Sequence, residues 1–131
     1  FFGGRILRLL SRNIAYYNSF RPRINPVLIG FHKNFAKSFS LAELETQYKI
    51  SRFRIAHEFT AAFGQSPIAY LNCLRLQKAC ELLTCSDDRI GEISTAVGFE
   101  NTNHFINLFR RQYGMTPGTY RKHYQGTTAD R

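Results

Sequence analysis

Four histidines (His32, His57, His104, His123) and three cysteines (Cys73, Cys80, Cys85) are the residues of this chain best suited to metal binding or nucleophilic chemistry. Their spacing suits neither. The histidines are scattered, and none stands at ligand spacing from a cysteine. Cys73 and Cys80 are seven apart and share a face if their segment is helical, which fits core thiols in a reducing compartment; a redox switch is the alternative. Glu43/Glu45 and Asp87/Asp88 are neighbours that point apart on a helix or sit at caps. There is no phosphate-cradling glycine loop and no dinucleotide fingerprint. The sequence therefore predicts a chain that is not an enzyme, with no cofactor and no metal. What it offers instead is positive charge: 18 Lys+Arg against 9 Asp+Glu, a net +9. That balance favours an anionic partner, whether DNA, RNA or an acidic membrane surface. Arginine outnumbers lysine, which suits phosphate and base-edge contacts.

The elements that must position this charge come from a chain of 131 residues, 44% hydrophobic and 21% charged, an ordinary globular composition. Its longest apolar candidate, Ile24 to Phe31, contains Pro26 and is far shorter than the roughly 18 residues of a membrane span. Arg5, Arg8 and Arg12 interrupt the N-terminal apolar residues, so there is no signal-peptide pattern. The start at Phe1-Phe2-Gly3-Gly4 suggests a piece of a longer chain.

The strongest organising feature is a duplication. FGQSPIAY (63–70) and YGMTPGTY (113–120) share their punctuation. Laying 41–70 over 90–120 pairs Leu41 with Ile90, Leu44 with Ile93, Tyr48 with Val97 and Ile50 with Phe99. After one extra residue, Ile55 pairs with Phe105, Phe59 with Phe109, Phe63 with Tyr113 and Tyr70 with Tyr120. Two copies suggest a duplicated subdomain rather than a solenoid.

Each copy reads as short helix, tight turn, second helix, the helix-turn-helix pattern. In the first, Ser40 caps with Glu43 completing a capping box, Lys49-Ile50 turns, and Ser51 caps a helix facing Ile55, Phe59 and Phe63 inward. Gly64 ends that helix, Ser66 caps the next, and Pro67 opens it. In the second, Asp88 is the expected cap before Ile90, Val97-Gly98-Phe99 turns, and Asn101 or Thr102 caps a helix with Phe105, Leu108 and Phe109 inward. Gly114, Thr116 and Pro117 then repeat the stop and start. Pro67 to about Thr84 keeps helical spacing without Gly or Pro, one continuous helix of roughly 25 Å. No stretch alternates as a strand does.

Residues from about 25 to 124 resemble the DNA-binding domain of the AraC/XylS family of transcription regulators. The resemblance rests on SLAEL (40–44), FGQSPIAYLNCLRLQKACELL (63–83) and above all IGEISTAVGFENTNHFINLFRRQYGMTPGTYR (90–121). It implies an all-α, seven-helix domain with two helix-turn-helix subdomains joined by a long linker helix. A short N-terminal helix precedes them, on Ile6, Leu9, Leu10, Ile14 and Tyr17. Residues 1–23 are then the tail of an absent N-terminal domain plus the basic linker Arg21-Pro22-Arg23. Residues 24–74 form the first subdomain with the start of the linker helix, and 75–131 hold the rest of that helix and the second. Pro26 starts the first helix of the domain, with Val27, Phe31 and Phe35 inward. This chain departs from the family pattern at Glu45 and Ser94, where Ala is usual, at Lys49, where Gly is usual, and at His57 and Asn107, where Arg is frequent.

The function implied is sequence-specific DNA binding by a cytoplasmic, nucleoid-associated bacterial activator. Double-stranded DNA and RNA polymerase are its partners, with no membrane role, and the resemblance allows a homodimer through the absent N-terminal domain. A helical protein-binding or RNA-binding module is the alternative. Recognition helices present their N-terminal residues to base edges. By resemblance, Phe53, Ala56 and His57 lie nearest the bases in the first unit. Phe53 and Ala56 suit thymine methyls and His57 a guanine acceptor; the alternative for Phe53 is a packing staple. In the second unit the outward set is Thr102, Asn103, His104, Ile106 and Asn107, with Asn103 and Asn107 on one face and suited to adenine. Arg52, Arg54, Arg110, Arg111, Arg121 and Lys122 are the phosphate candidates. Two major-groove segments on one face of a duplex are about 34 Å apart, so a site of two adjacent segments with modest bending is expected.

Overall fold

The computed structural model describes residues 24–129, with side chains through Gln125. The short helix and basic linker expected within residues 1–23 lie outside the described residues. Seven α-helices follow: α1 (Asn25–Lys33), α2 (Leu41–Tyr48), α3 (Arg52–Phe63), α4 (Pro67–Cys85), α5 (Ile90–Ala96), α6 (Thr102–Tyr113) and α7 (Pro117–Ala129). Among the described residues there is no strand. The chain divides into two compact units between Leu74 and Arg75, inside α4.

In the first unit, Pro26 sits in the opening turn of α1, where a missing N–H breaks no bond. Val27, Leu28 and Phe31 on its inward face join Leu44, Ile55, Phe59, Tyr70 and Leu71 in one buried cluster. Phe35, expected inward, packs against this cluster while remaining partly exposed. Ser40 accepts the Glu43 N–H at 3.2 Å and starts α2. Ser51 accepts the Arg54 N–H and starts α3, and Ser66 does the same for α4 through Ala69. Three rings close the unit. Phe59 lies 5.5 Å from Phe63 and 5.6 Å from Tyr70, and Phe63 lies 4.8 Å from Tyr70. The buried Tyr70 hydroxyl still meets His32 Nε2 at 2.9 Å, which satisfies a polar atom that desolvation would otherwise penalise.

The second unit repeats the arrangement. Ile93, Val97, Phe99, Phe105 and Phe109 are buried with Leu76, Ala79 and Leu83 of α4. Phe109 lies 4.6 Å from Tyr113 and 5.4 Å from Tyr120, with Tyr113 and Tyr120 5.9 Å apart. This is the same ring trio at the repeated positions. Leu108, expected inward, is only half-buried, since the burial stripe of α6 runs through Phe105, Phe109 and Tyr113. Thr116 accepts the Thr119 N–H at 3.2 Å and starts α7.

One cap differs from expectation. The residue preceding α5 in cap position is Arg89, not Asp88. Arginine has no acceptor to offer a helix N-terminus. The compensation runs backward instead, with the Glu92 carboxylate accepting the Arg89 N–H at 2.9 Å. Asp88 gives its own N–H to the Ser86 hydroxyl in the preceding loop.

Candidate nucleic-acid interface

Two helices carry the outward residues singled out by the sequence, α3 in the first unit and α6 in the second. Each is the second helix of its helix-turn-helix, and each buries one apolar stripe and turns the other face outward. On α3 the apolar stripe is Ile55 and Phe59, with the carboxylate of Glu58 buried beside them. Phe53 is 81% exposed, so it forms no staple. A bare phenyl ring at a helix start is uncommon because leaving it in water forgoes roughly 1.5–3 kcal/mol of burial. His57 is exposed and Ala56 half-buried beside it. Phe53, His57, Ser51, Arg54 and Glu58 line a shallow open concavity at this end of the helix.

The two arginines of α3 are both engaged. Arg52 Nη2 lies 3.1 Å from Glu45 Oε1, and its Nε donates to the same oxygen at 3.3 Å. The other carboxylate oxygen, Oε2, accepts the Arg52 backbone N–H at 2.9 Å. These bonds from Arg52, backbone first, hold the Glu45 carboxyl below the usual carboxylate range. Arg54 Nη1 reaches Glu58 Oε2 at 3.2 Å, and Glu58 is 3% exposed.

On α6 the Asn101 side chain accepts the His104 N–H at 3.1 Å and so is the cap, leaving Thr102 as the first helical residue. Asn103, His104 and Asn107 are exposed, and Thr102 and Ile106 are half-buried. His104 sits edge-on to Phe99, 5.9 Å between centroids. Arg110 and Arg111 are exposed in the last turn, where cations complement the helix dipole. No acidic residue lies on α6. Lys122 is exposed on α7.

Arg121 has a different setting from the other cations. Its Nε donates to the Leu83 carbonyl at 3.0 Å and its Nη2 to the Ser86 carbonyl at 3.1 Å. Gln125 Nε2 joins it on the Ser86 carbonyl at 2.9 Å and meets Asp87 Oδ1 at 3.2 Å. The guanidinium thus satisfies carbonyls at and just beyond the C-terminus of α4, which have no partner within the helix. Sequence reasoning named neither this role nor the Glu45 clamp. Neither pair has a helical spacing, so no local rule signals it.

Among the described residues, no group of three or more His, Cys, Asp or Glu comes together, and no helix is long and apolar enough to cross a membrane. Cys73 and Cys80 are half-buried rather than fully in the core, and burial pushes both thiols up, away from the reactive thiolate; Cys85 is exposed.

Two repeated units, each with its second helix turned outward, place the molecule in the helix-turn-helix class. Residues 44–123 match the family described as a helix-turn-helix domain. The chain is 34% identical over 107 residues to the uncharacterized HTH-type transcriptional regulator YdiP of Escherichia coli strain K12, covering 82% of this chain and 35% of YdiP. It is 34% identical over 100 residues to the HTH-type transcriptional activator RhaS of Escherichia fergusonii, covering 76% of this chain and 36% of RhaS. Among solved structures it is similar to the DNA-binding domain of AdpA, a global transcriptional factor, in complex with a target DNA. That match has a TM-score of 0.73 at 26% identity and covers 81% of this chain and 95% of that one. The chain belongs to the AraC/XylS family of helix-turn-helix transcription regulators. It spans about a third of the length of the curated relatives it matches.

Proposed function

We propose that this chain is the DNA-reading part of a transcription activator and that its two units address adjacent major-groove segments of one duplex. The observation that carries the reading is that α3 and α6, at repeated positions of a duplicated fold, both leave base-competent side chains exposed at their N-terminal halves. Phe53, Ala56 and His57 are the readers of the first unit. Thr102, Asn103, His104, Ile106 and Asn107 are those of the second. The outward sets differ, so the two half-sites differ in sequence. Arg110, Arg111 and Lys122 supply phosphate contacts, while Arg52 and Arg54 already share their charge with Glu45 and Glu58. Arg121 serves the fold. That RhaS is an activator supports activation here. RNA polymerase as partner, a homodimer through a further domain, and action at the nucleoid follow the family pattern.

The test is selection of bound duplexes from a random pool, followed by affinity measurements on the selected and scrambled duplexes. Asn103→Ala or His57→Ala is expected to erase discrimination at one position, about 1–3 kcal/mol, while Arg111→Ala weakens every sequence alike. If the two kinds of change act alike across sequences, the assignment of readers is wrong.

A further inference from the structure

The clamp at the start of α3 has no counterpart in the second unit. Under the repeat, Glu45 corresponds to Ser94 and Arg52 to Thr102. Ser94 is buried and its hydroxyl has no hydrogen-bond partner. The second unit has no carboxylate at the repeat position of Glu45 to meet the N–H of Thr102. In the first unit the equivalent N–H, on Arg52, is occupied by Glu45 Oε2, and Glu45 Oε1 holds the guanidinium. A helix N-terminus with an arginine beside it is an arrangement that attracts an oxyanion such as a phosphate. In α3 that place is already taken by a carboxylate of the same chain.

We propose that Glu45 restrains the sequence-independent affinity of the first unit: by standing where a backbone phosphate would stand, it withholds Arg52 from the DNA backbone and leaves recognition by α3 to Phe53, Ala56 and His57. This rests on the DNA-reading assignment above. Phosphate contacts add affinity on every sequence and carry no base information directly, so suppressing one raises the share of binding that depends on base contacts. The side chains of Glu45 and Arg52 are 36% and 48% exposed, so the clamp is open to solvent and a phosphate could compete for the guanidinium. The carboxylate is also held ionised by the bonds it accepts, which keeps its repulsion toward a phosphate present over the physiological range.

The experiment is a double-mutant cycle on the whole chain, with binding measured against salt on the selected duplex and on a scrambled one. Glu45→Gln keeps an oxygen for the Arg52 N–H and removes the charge. It is expected to tighten both duplexes by a similar factor and to steepen the plot of log affinity against log salt by about 0.9, one added phosphate contact. Between 50 and 200 mM salt that variant then loses about three- to fourfold more affinity than the parent. Arg52→Ala in the parent leaves the slope unchanged, and Arg52→Ala in the Glu45→Gln background removes the steepening. The proposal is overturned if Glu45→Gln leaves affinity and slope unchanged, if its effect persists without Arg52, or if Arg52→Ala alone flattens the parent slope by one contact. A parent chain that shows no preference for the selected duplex defeats the DNA-reading assignment itself, and that is read before any variant is made.

Discussion

The two units of this domain are copies that have kept their inward residues and changed their outward ones. Phe59, Phe63 and Tyr70 form the same ring trio as Phe109, Tyr113 and Tyr120. Ser51 and Asn101 cap the outward helices by the same bond to the third residue on, and Gly64 and Gly114 end them with the same left-handed backbone. The differences lie at Glu45/Ser94, Lys49/Gly98 and Leu71/Arg121. The first and the last change how polar groups are satisfied, and the second changes the backbone strain of a turn. What the comparison teaches is that the scaffold fixes where each outward helix stands, while a few polar exchanges around it decide which cations find partners within the chain.

The largest expected effect tests the equivalence of the two ring trios. Phe59 and Phe109 are both 0% exposed. Truncation to Ala removes the ring and leaves a cavity, at a cost of about 3–5 kcal/mol for a buried Phe. Phe59→Ala and Phe109→Ala are therefore expected to destabilise by similar amounts in denaturant unfolding. Amide exchange should rise first in the unit that carries the change. A cost below about 1 kcal/mol for one of them would show that its unit relies on other contacts and that the copies are not energetically equivalent.

The next effect concerns Arg121, whose counterpart Leu71 is 1% exposed. The same repeat position is apolar core in one copy, and in the other it donates to carbonyls at and just beyond the C-terminus of α4. Arg121→Ala strips charged donors from the Leu83 and Ser86 carbonyls. A loss of about 1–3 kcal/mol of stability is expected, with the salt dependence of DNA binding unchanged. A slope flattened by about one contact with stability intact would return Arg121 to the phosphate set.

These two cases also show what was legible in the sequence. The helices of the two copies, the linker helix, the duplicated core and most caps follow from local rules: spacing of apolar residues, a hydroxyl or amide three residues before an N–H, glycine at a stop; the helix begun by Pro26 follows from the family resemblance. Ser40, Ser51, Ser66, Asn101 and Thr116 behave as such rules require. Asp88 did not, because Arg89 intervenes and Glu92 supplies the bond from within the helix. The state of the cations was not legible. Glu45 and Arg52 meet across a tight turn, and Arg121 meets residues 35 and 38 positions away. A phosphate candidate and a structural arginine have the same letter until the fold brings an acceptor to one of them. Phe53 and its exposure were similarly open, since a helix start offers a phenyl ring either a staple or solvent.

The smallest effect is expected at the turn. Lys49 closes α2 at φ 56°, and Gly98 stands at the matching place after α5 at φ 105°. Both are left-handed, yet only glycine adopts such angles without a Cβ penalty. Lys49 is the one non-glycine residue with positive φ among the described residues. A side chain there costs about 1–2 kcal/mol, partly offset because glycine also gains freedom when the chain unfolds. Lys49→Gly is thus expected to stabilise the first unit by about 0.5–1 kcal/mol, and Gly98→Ala to destabilise the second by about 1–2 kcal/mol. Thermal unfolding of the two variants checks both signs. A destabilising Lys49→Gly would mean that the lysine side chain contributes more to the end of α2 than its backbone strain removes, and the turn would then be a place where the first copy has gained a contact the second never had.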